Sequence, residues 1–346
     1  MKKTAIIAAA IVCAGTVFAQ DAASPEGAKK IMLKLSSVET ATTRHQKTWT
    51  PPAKPAVLSE KPYSEAQIMQ ATPEEADRMR KRNEDVGVAQ RAAMAAIALE
   101  NWRAADEHMK GVQAQLEGNA YGRQIILALD KFAGEAGQCF DPDCIEFFHR
   151  MDMDEGVKEQ ALNDMSDPGV LAAPYFVKLV FDDPREESQT VALNSVDSVK
   201  MTKFTQVVTC EVQDMRGKIV FAKNVKAEKS IRSSNAVTTG GSSGNGLVET
   251  LNEALSMVAK DINDHFVAKV SFVLVGPQND EDFDPDLGTV LVDGEGHAPG
   301  DEFSVLKGSH VVDVEMDGYK RTGSKKLTVS NSREFKIPMK KDASAE

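Results

Sequence analysis

Histidine, aromatic residues and paired catalytic motifs are thinly spread through this chain. The six histidines, His45, His108, His149, His265, His297 and His310, show no H-E-x-x-H spacing and no carboxylate at a fixed offset, which removes the common zinc-hydrolase pattern. There is no G-x-S-x-G elbow to carry an acyl-transfer serine. After Phe283 the only aromatic residues are Phe303, Tyr319 and Phe335, a poor supply for a sugar-stacking surface. Basic residues are outnumbered, 41 against 52 acidic, whereas nucleic acid rewards clustered Lys and Arg; no nucleic-acid partner is expected. Past the N-terminus no apolar run approaches the roughly 20 residues of a membrane-spanning helix, so no transmembrane segment is expected in the mature chain.

The N-terminus reads as a secretory signal over residues 1–19. Lys2 and Lys3 precede an uncharged run from Ala5 to Ala14, and Val17-Phe18-Ala19 places small residues where a signal peptidase reads them. Cleavage before Gln20 would deliver the chain to the periplasm or cell envelope. Cys13 raises lipidation as a second reading, but Val12 stands where that signal wants a small residue.

Cys139, Cys144 and Cys210 remain after processing. In an oxidising compartment Cys139 and Cys144 could bridge across Phe140-Asp141-Pro142-Asp143, a turn-forming insert, for about 2 kcal/mol from so short a loop. Two half-buried thiols are the plain alternative. The weak metal candidate is the acidic stretch Asp280 to Asp286, where Asp282, Asp284 and Asp286 alternate as oxygen donors for a hard cation. Pro285 stiffens that stretch, Leu287 occupies the position a calcium loop reserves for Gly, and no Glu closes it. A solvated linker is expected, with no cofactor. The glycine run Gly240 to Gly246 precedes a helix but lacks the Lys-Ser/Thr of a phosphate cradle.

Periodicity outlines an α+β protein. Lys30 to Val38 alternates as a strand. Thr72-Pro73-Glu74-Glu75 is a capping box with Pro at the first helical position. It opens a long Ala-rich helix with Met94, Ile97, Ala98, Trp102, Ala105 and Met109 on one face, divisible at Gly87. Helices are expected near Tyr121 to Ala133 and Ile145 to Ala161. A strand follows at Tyr175 to Phe181, then a hairpin of Lys203 to Val212 and Lys218 to Lys226. An amphipathic helix, Leu247 to Val267, precedes a strand at Val270 to Val275. The stretches Thr40 to Lys61, Asp182 to Asp197 and Ser230 to Gly246 are polar, charged or Pro/Gly-rich, so no channel is expected.

Three places resemble one envelope fold. They are Leu171-Ala172-Ala173-Pro174-Tyr175-Phe176-Val177, the hairpin Asp214-Met215-Arg216-Gly217-Lys218-Ile219-Val220, and the closing helix Leu247 to Val267. Together they are similar to the periplasmic domain of the curli secretion-channel family, a fold shared by lipoprotein activators of peptidoglycan synthases. Arg216 departs from the usual Thr. The resemblance implies a mixed-sheet α/β domain over residues 20–41 and 119–276, with 42–118 as linker and helical insertion.

Beyond the linker 277–287, residues 288–341 resemble a PEGA domain. The pattern is Gly288-Thr289-Val290-Leu291-Val292-Asp293-Gly294, Ala298-Pro299-Gly300, Leu306-Lys307-Gly308-Ser309-His310 and Gly318-Tyr319. This resemblance implies a small non-catalytic β-sandwich. Taken together, the two resemblances suggest a non-catalytic envelope adaptor that binds other envelope proteins. A module binding cell-wall glycan through the C-terminal sandwich is the alternative.

Overall fold

The structure, a computed structural model, describes residues 30–41, 62–134, 139–148, 172–192, 198–214, 217–234, 243–278 and 280–342. The signal-like segment, the leader and most of the stretch Thr40 to Lys61 lie outside them. Among the described residues no helix is long and apolar enough to cross a membrane.

The fold is α+β. In the first unit β1 (Lys30–Glu39) runs parallel to β2 (Ile145–Phe148) on one side and β3 (Ala172–Phe181) on the other. The antiparallel strand β5 (Ser198–Gln213) pairs with β3 and then with β4 (Arg185–Ala192) along one flank. Its opposite flank carries β6 (Ile219–Ser234). Ile145 to Phe148 was expected to begin a helix. It forms an edge strand because Ile145 and Phe147 pair in register with Ile31 and Leu33 and reach the main core, while Phe148 points the other way. The rest of that expected helix lies outside the described residues. A second difference is β4, whose residues REESQTVA are all exposed. Such a strand leaves no apolar alternation to read; pairing with β5 makes it.

β1 is buried on both faces. Ile31, Leu33 and Leu35 face a core shared with α3 (Ala120–Gly134) and α4 (Ser243–Phe266), reached from the long helix before α3 by Met109, Val112 and Leu116. The α4 stripe Leu251, Ala254, Leu255, Val258, Ala259, Ile262 and Phe266 recurs at three and four residues, the period of one helix face. Each large side chain so buried contributes on the order of 1.5–3 kcal/mol. The turn into α3 is tight: a Cβ on Gly122 would sit 2.2 Å from the Leu116 carbonyl oxygen.

α2 (Pro73–Glu117) is one continuous helix through Gly87. Its start is held by the Glu75 carboxylate, which accepts from the Thr72 backbone N–H at 3.1 Å and the Thr72 hydroxyl at 2.8 Å. One face from Ile97 to Leu116 docks on the body, with Ile97, Trp102, Ala105 and Met109 buried as expected; the side chains of Met94 and Ala98 lie outside the description. Towards its start the helix packs on α1 (Glu65–Gln70) and the segment before it. There Asn83 accepts from the Tyr63 N–H at 2.8 Å and donates to the Tyr63 carbonyl at 2.9 Å.

The second unit is a β-sandwich. β7 (Val267–Val275) follows α4 directly and is hydrogen-bonded between β10 (Phe303–Leu306) and β14 (Arg333–Lys341), with β12 (Tyr319–Arg321) beyond. The resemblance would place Val270 to Val275 with the first unit; its hydrogen bonds lie in this sheet. The facing sheet has the order β13 (Lys326–Val329), β11 (Gly308–Glu315), β8 (Thr289–Val292), β9 (Glu295–His297). Ala268, Val270, Phe272, Leu274, Phe335, Ile337 and Met339 pack against Val290, Val292, Val312, Val314 and Val329. The β8–β9 turn is Asp293-Gly294, with φ of 51° and 88°. Two left-handed residues fit the two-residue hairpin turn that follows the strand twist.

Candidate functional site

Four polar constellations stand out, and each is bound into the fold. The deepest lies where α2 covers the second face of β1. Lys34, 1% exposed, pairs with the Asp106 carboxylate, and its ammonium sits 5.0 Å from the Trp102 ring centroid. Register places Lys34 beside Phe148 and Phe176 on the same face, and Trp102 meets Phe148 edge-on at 5.0 Å. The Asn101 side-chain amide, the Trp102 indole N–H and the Ser37 hydroxyl are buried there without hydrogen-bond partners. Buried polar groups left unmatched cost roughly 1–3 kcal/mol each, so α2 docks through an unusually polar surface.

The second constellation was invisible to spacing. His310 Nδ1 lies 2.7 Å from Asp293 Oδ2, and its Nε2 lies 2.6 Å from the Leu306 carbonyl oxygen. Asp293 is fixed in turn, its other carboxylate oxygen accepting from the Val311 N–H at 2.8 Å. Burial alone would lower the His310 pKa, but the hydrogen bonds to Asp293 and Leu306 and the Asp293 charge outweigh it and raise the value above the ordinary 6.5. A histidine beside a carboxylate suggests general-base chemistry. Here both ring nitrogens are committed to fixed acceptors inside the protein, so the pair is structural. The signal lay in the Asp293-Gly294 turn, whose register with β11 brings the two residues together. His297 stacks on Phe303 at 3.5 Å, and His265 is half-buried against Phe221 and Phe266. His45 and His149 lie outside the described residues.

The acidic stretch is anchored to the sandwich at Asp280 and Phe283, while Glu281, Asp282, Asp284 and Asp286 are exposed. Asp280 accepts from the Tyr319 hydroxyl at 2.9 Å and pairs with Lys341 at 3.0 Å. The Phe283 ring packs against Gly276, where a Cβ would come within 2.4 Å of it, and meets Tyr319 edge-on at 5.1 Å. Of the three metal candidates, Asp284 caps a short 3-10 turn by accepting from the Asp286 N–H, and Asp282 is 90% exposed with Lys341 at 3.9 Å. Among the described residues no three His, Cys, Asp or Glu side chains are gathered as metal ligands.

Cys139, Cys144 and Cys210 are free thiols. The structure holds no bridge between Cys139 and Cys144, a pairing that their spacing leaves open. The intervening turn closes instead through backbone: Cys144 and Ile145 N–H groups both donate to the Asp141 carbonyl, and Asn263 of α4 accepts from the Asp141 N–H at 2.8 Å. Burial first, then the Asp141 and Asp143 carboxylates, push the Cys144 thiol up to about 12. That keeps it protonated and unreactive.

Neither a family model nor a curated protein matches the sequence. Solved structures do. A minor lipoprotein from Acinetobacter baumannii is 11% identical with a TM-score of 0.23, covering 42% of this chain and 87% of that one. A neuraminyllactose-binding hemagglutinin homologue from Helicobacter pylori is 10% identical at 0.20, covering 35% and 61%. A chain described as a lipoprotein from Caulobacter crescentus CB15 is 15% identical at 0.17, covering 30% and 71%. At scores this low none of the three assigns a role to this chain.

Proposed function

We propose that this chain is a non-catalytic, exported adaptor of the bacterial cell envelope that binds other envelope proteins and recruits or activates an assembly machine. The reading takes the export signal at Lys2 to Ala19 together with the two fold resemblances, the curli-channel and synthase-activator type for the first unit and the PEGA type for the sandwich. One observation carries it: among the described residues, the side chains of α2 that pack into the body lie in its later part, from Ile97 to Leu116. The earlier part presents charged side chains to solvent, with Glu74 and Arg78 at 88% and 79% exposure and Asp77 and Arg80 at 77% and 64%. Helices in proteins owe most of their stability to packing, so so long an exposed helix is suited to contact with another protein.

The glycan-binding alternative wants exposed rings. In the sandwich Phe272 stacks with Phe303 and Phe335, and Phe283 meets Tyr319, so these rings face one another. A photo-crosslinking residue at Lys81, Glu84 or Asp85 in cells should yield covalent adducts with envelope proteins. Absence of any adduct at all three positions, with nothing enriched in a pull-down from envelope extract, defeats the adaptor reading. Co-sedimentation of the intact chain with purified peptidoglycan would favour the alternative.

A further inference from the structure

The two units meet through Leu306 and Lys307. Leu306 ends a strand of the sandwich, yet its side chain is 2% exposed and lies in the core of the first unit. Lys307 closes the C-terminus of α4: its backbone N–H donates to the Phe266 carbonyl at 2.7 Å and its ammonium to the Asp264 carbonyl at 2.5 Å. Helix C-termini leave such carbonyls without partners inside the helix, so this segment is both plug and cap.

The Leu306 carbonyl is in turn the acceptor for His310. A carboxylate and a backbone carbonyl both accept and never donate, so holding both at 2.7 and 2.6 Å requires a proton on each ring nitrogen. The charged group facing the ring is Asp293, from the β8–β9 turn. Across from His310 on β13 stands Leu327, and the Lys307 ammonium is directed to α4. Removing one proton leaves a single N–H for two acceptors. Either Asp293 Oδ2 or the Leu306 carbonyl then loses its hydrogen bond to the ring, and His310 is only 7% exposed.

We infer that His310 is a proton-controlled latch of the joint between the two units: doubly protonated, it ties the Leu306–Lys307 plug to the β8–β9 turn, and on losing a proton it releases that segment. Because the folded pKa lies above 6.5, the added stability is fully present below that value and is lost as pH rises through the folded pKa. His265 stands on the other side of the same joint. Its Nε2 is buried without a partner, and burial, then the nearby Lys307 charge, hold its pKa below 6.5. Protonating it sets a second cation beside Lys307, so the joint is tightest between the two titrations.

Two measurements on the full chain test the latch. Nitrogen–proton NMR of the imidazoles should show two ring N–H signals for His310 with a midpoint above 6.5; a midpoint at or below 6.5 overturns it. Hydrogen exchange at the Lys307 amide, corrected for intrinsic pH dependence, should quicken about tenfold across the His310 titration, as one lost buried hydrogen bond implies. In His310→Gln, which cannot donate from both ends of a ring, exchange should be fast and flat over the same range. An unchanged pH response in His310→Gln, or none in the parent, refutes the latch even if the variant is less stable overall.

Discussion

Replacing Asp106 by Ala leaves the Lys34 ammonium, 1% exposed beneath α2, without the carboxylate it pairs with. Breaking a buried pair by deleting one partner costs about 3–5 kcal/mol, because the remaining charge keeps its desolvation penalty. For a unit of this size each kcal/mol moves the melting midpoint by about 2–4 °C, so a fall of roughly 6–20 °C is expected. The reverse holds for removing both charges. Lys34→Met with Asp106→Leu should be neutral or stabilising by about 1–4 kcal/mol, since Trp102, Phe148 and Phe176 already surround the site with apolar surface. Urea unfolding followed by tryptophan fluorescence suits the test, as the Trp102 ring lies 5.0 Å from the ammonium. The double-mutant cycle gives the coupling directly. An Asp106→Ala cost below about 1 kcal/mol, or a double variant as unstable as the two single changes summed, would refute the reasoning.

Asn101→Leu should stabilise by about 1–2 kcal/mol, since it removes two unmatched buried polar atoms and keeps the same number and branching of heavy atoms; a loss of stability in urea would show that the amide has a partner. Gly122→Ala should destabilise by about 2 kcal/mol or more, because the added methyl meets backbone at Leu116 and not a side chain that can swing away; an unchanged midpoint would contradict the tight α2–α3 turn. Alkylation of the native protein at mildly alkaline pH should label Cys139 while Cys144 and Cys210, both raised mainly by burial, react only after unfolding. Peptide mass mapping reads this out, and a 139–144 disulfide peptide from the oxidised protein would overturn the free-thiol state.

The features legible in the sequence were those that depend on near neighbours. The Thr72-Glu75 capping box and the α4 stripe each follow from a few adjacent residues, and each stands where expected. Features made by distant pairing were not legible. β4 has no apolar face, and only its register against β5, from Arg185 with Thr205 to Ala192 with Ser198, makes it a strand. Ile145 to Phe148 is too short for its period to show, so its pairing with β1 decides its state. The His310–Asp293 pair is fixed by how β8, β9 and β11 align, and no motif encodes it. In the acidic run composition signalled the exposed carboxylates Asp282, Asp284 and Asp286, but not the two anchors, Phe283 against Tyr319 and the Tyr319–Asp280 bond.

The placement of β7 has a consequence for how the chain is made. β7 is among the first parts of the sandwich to be synthesised, yet one of its neighbours, β14, lies more than 55 residues later in the chain, behind every other described strand of the sandwich. Until then Val270, Phe272 and Leu274 have an open edge and no finished core to cover them, and pairing over so long a span is slow. A chain interrupted before Arg333 would keep that greasy ribbon uncovered, immediately behind a helix that has already folded. Ribosome stalling or proteolytic nicking near Ser330 should therefore produce aggregation rather than a stable, shortened protein.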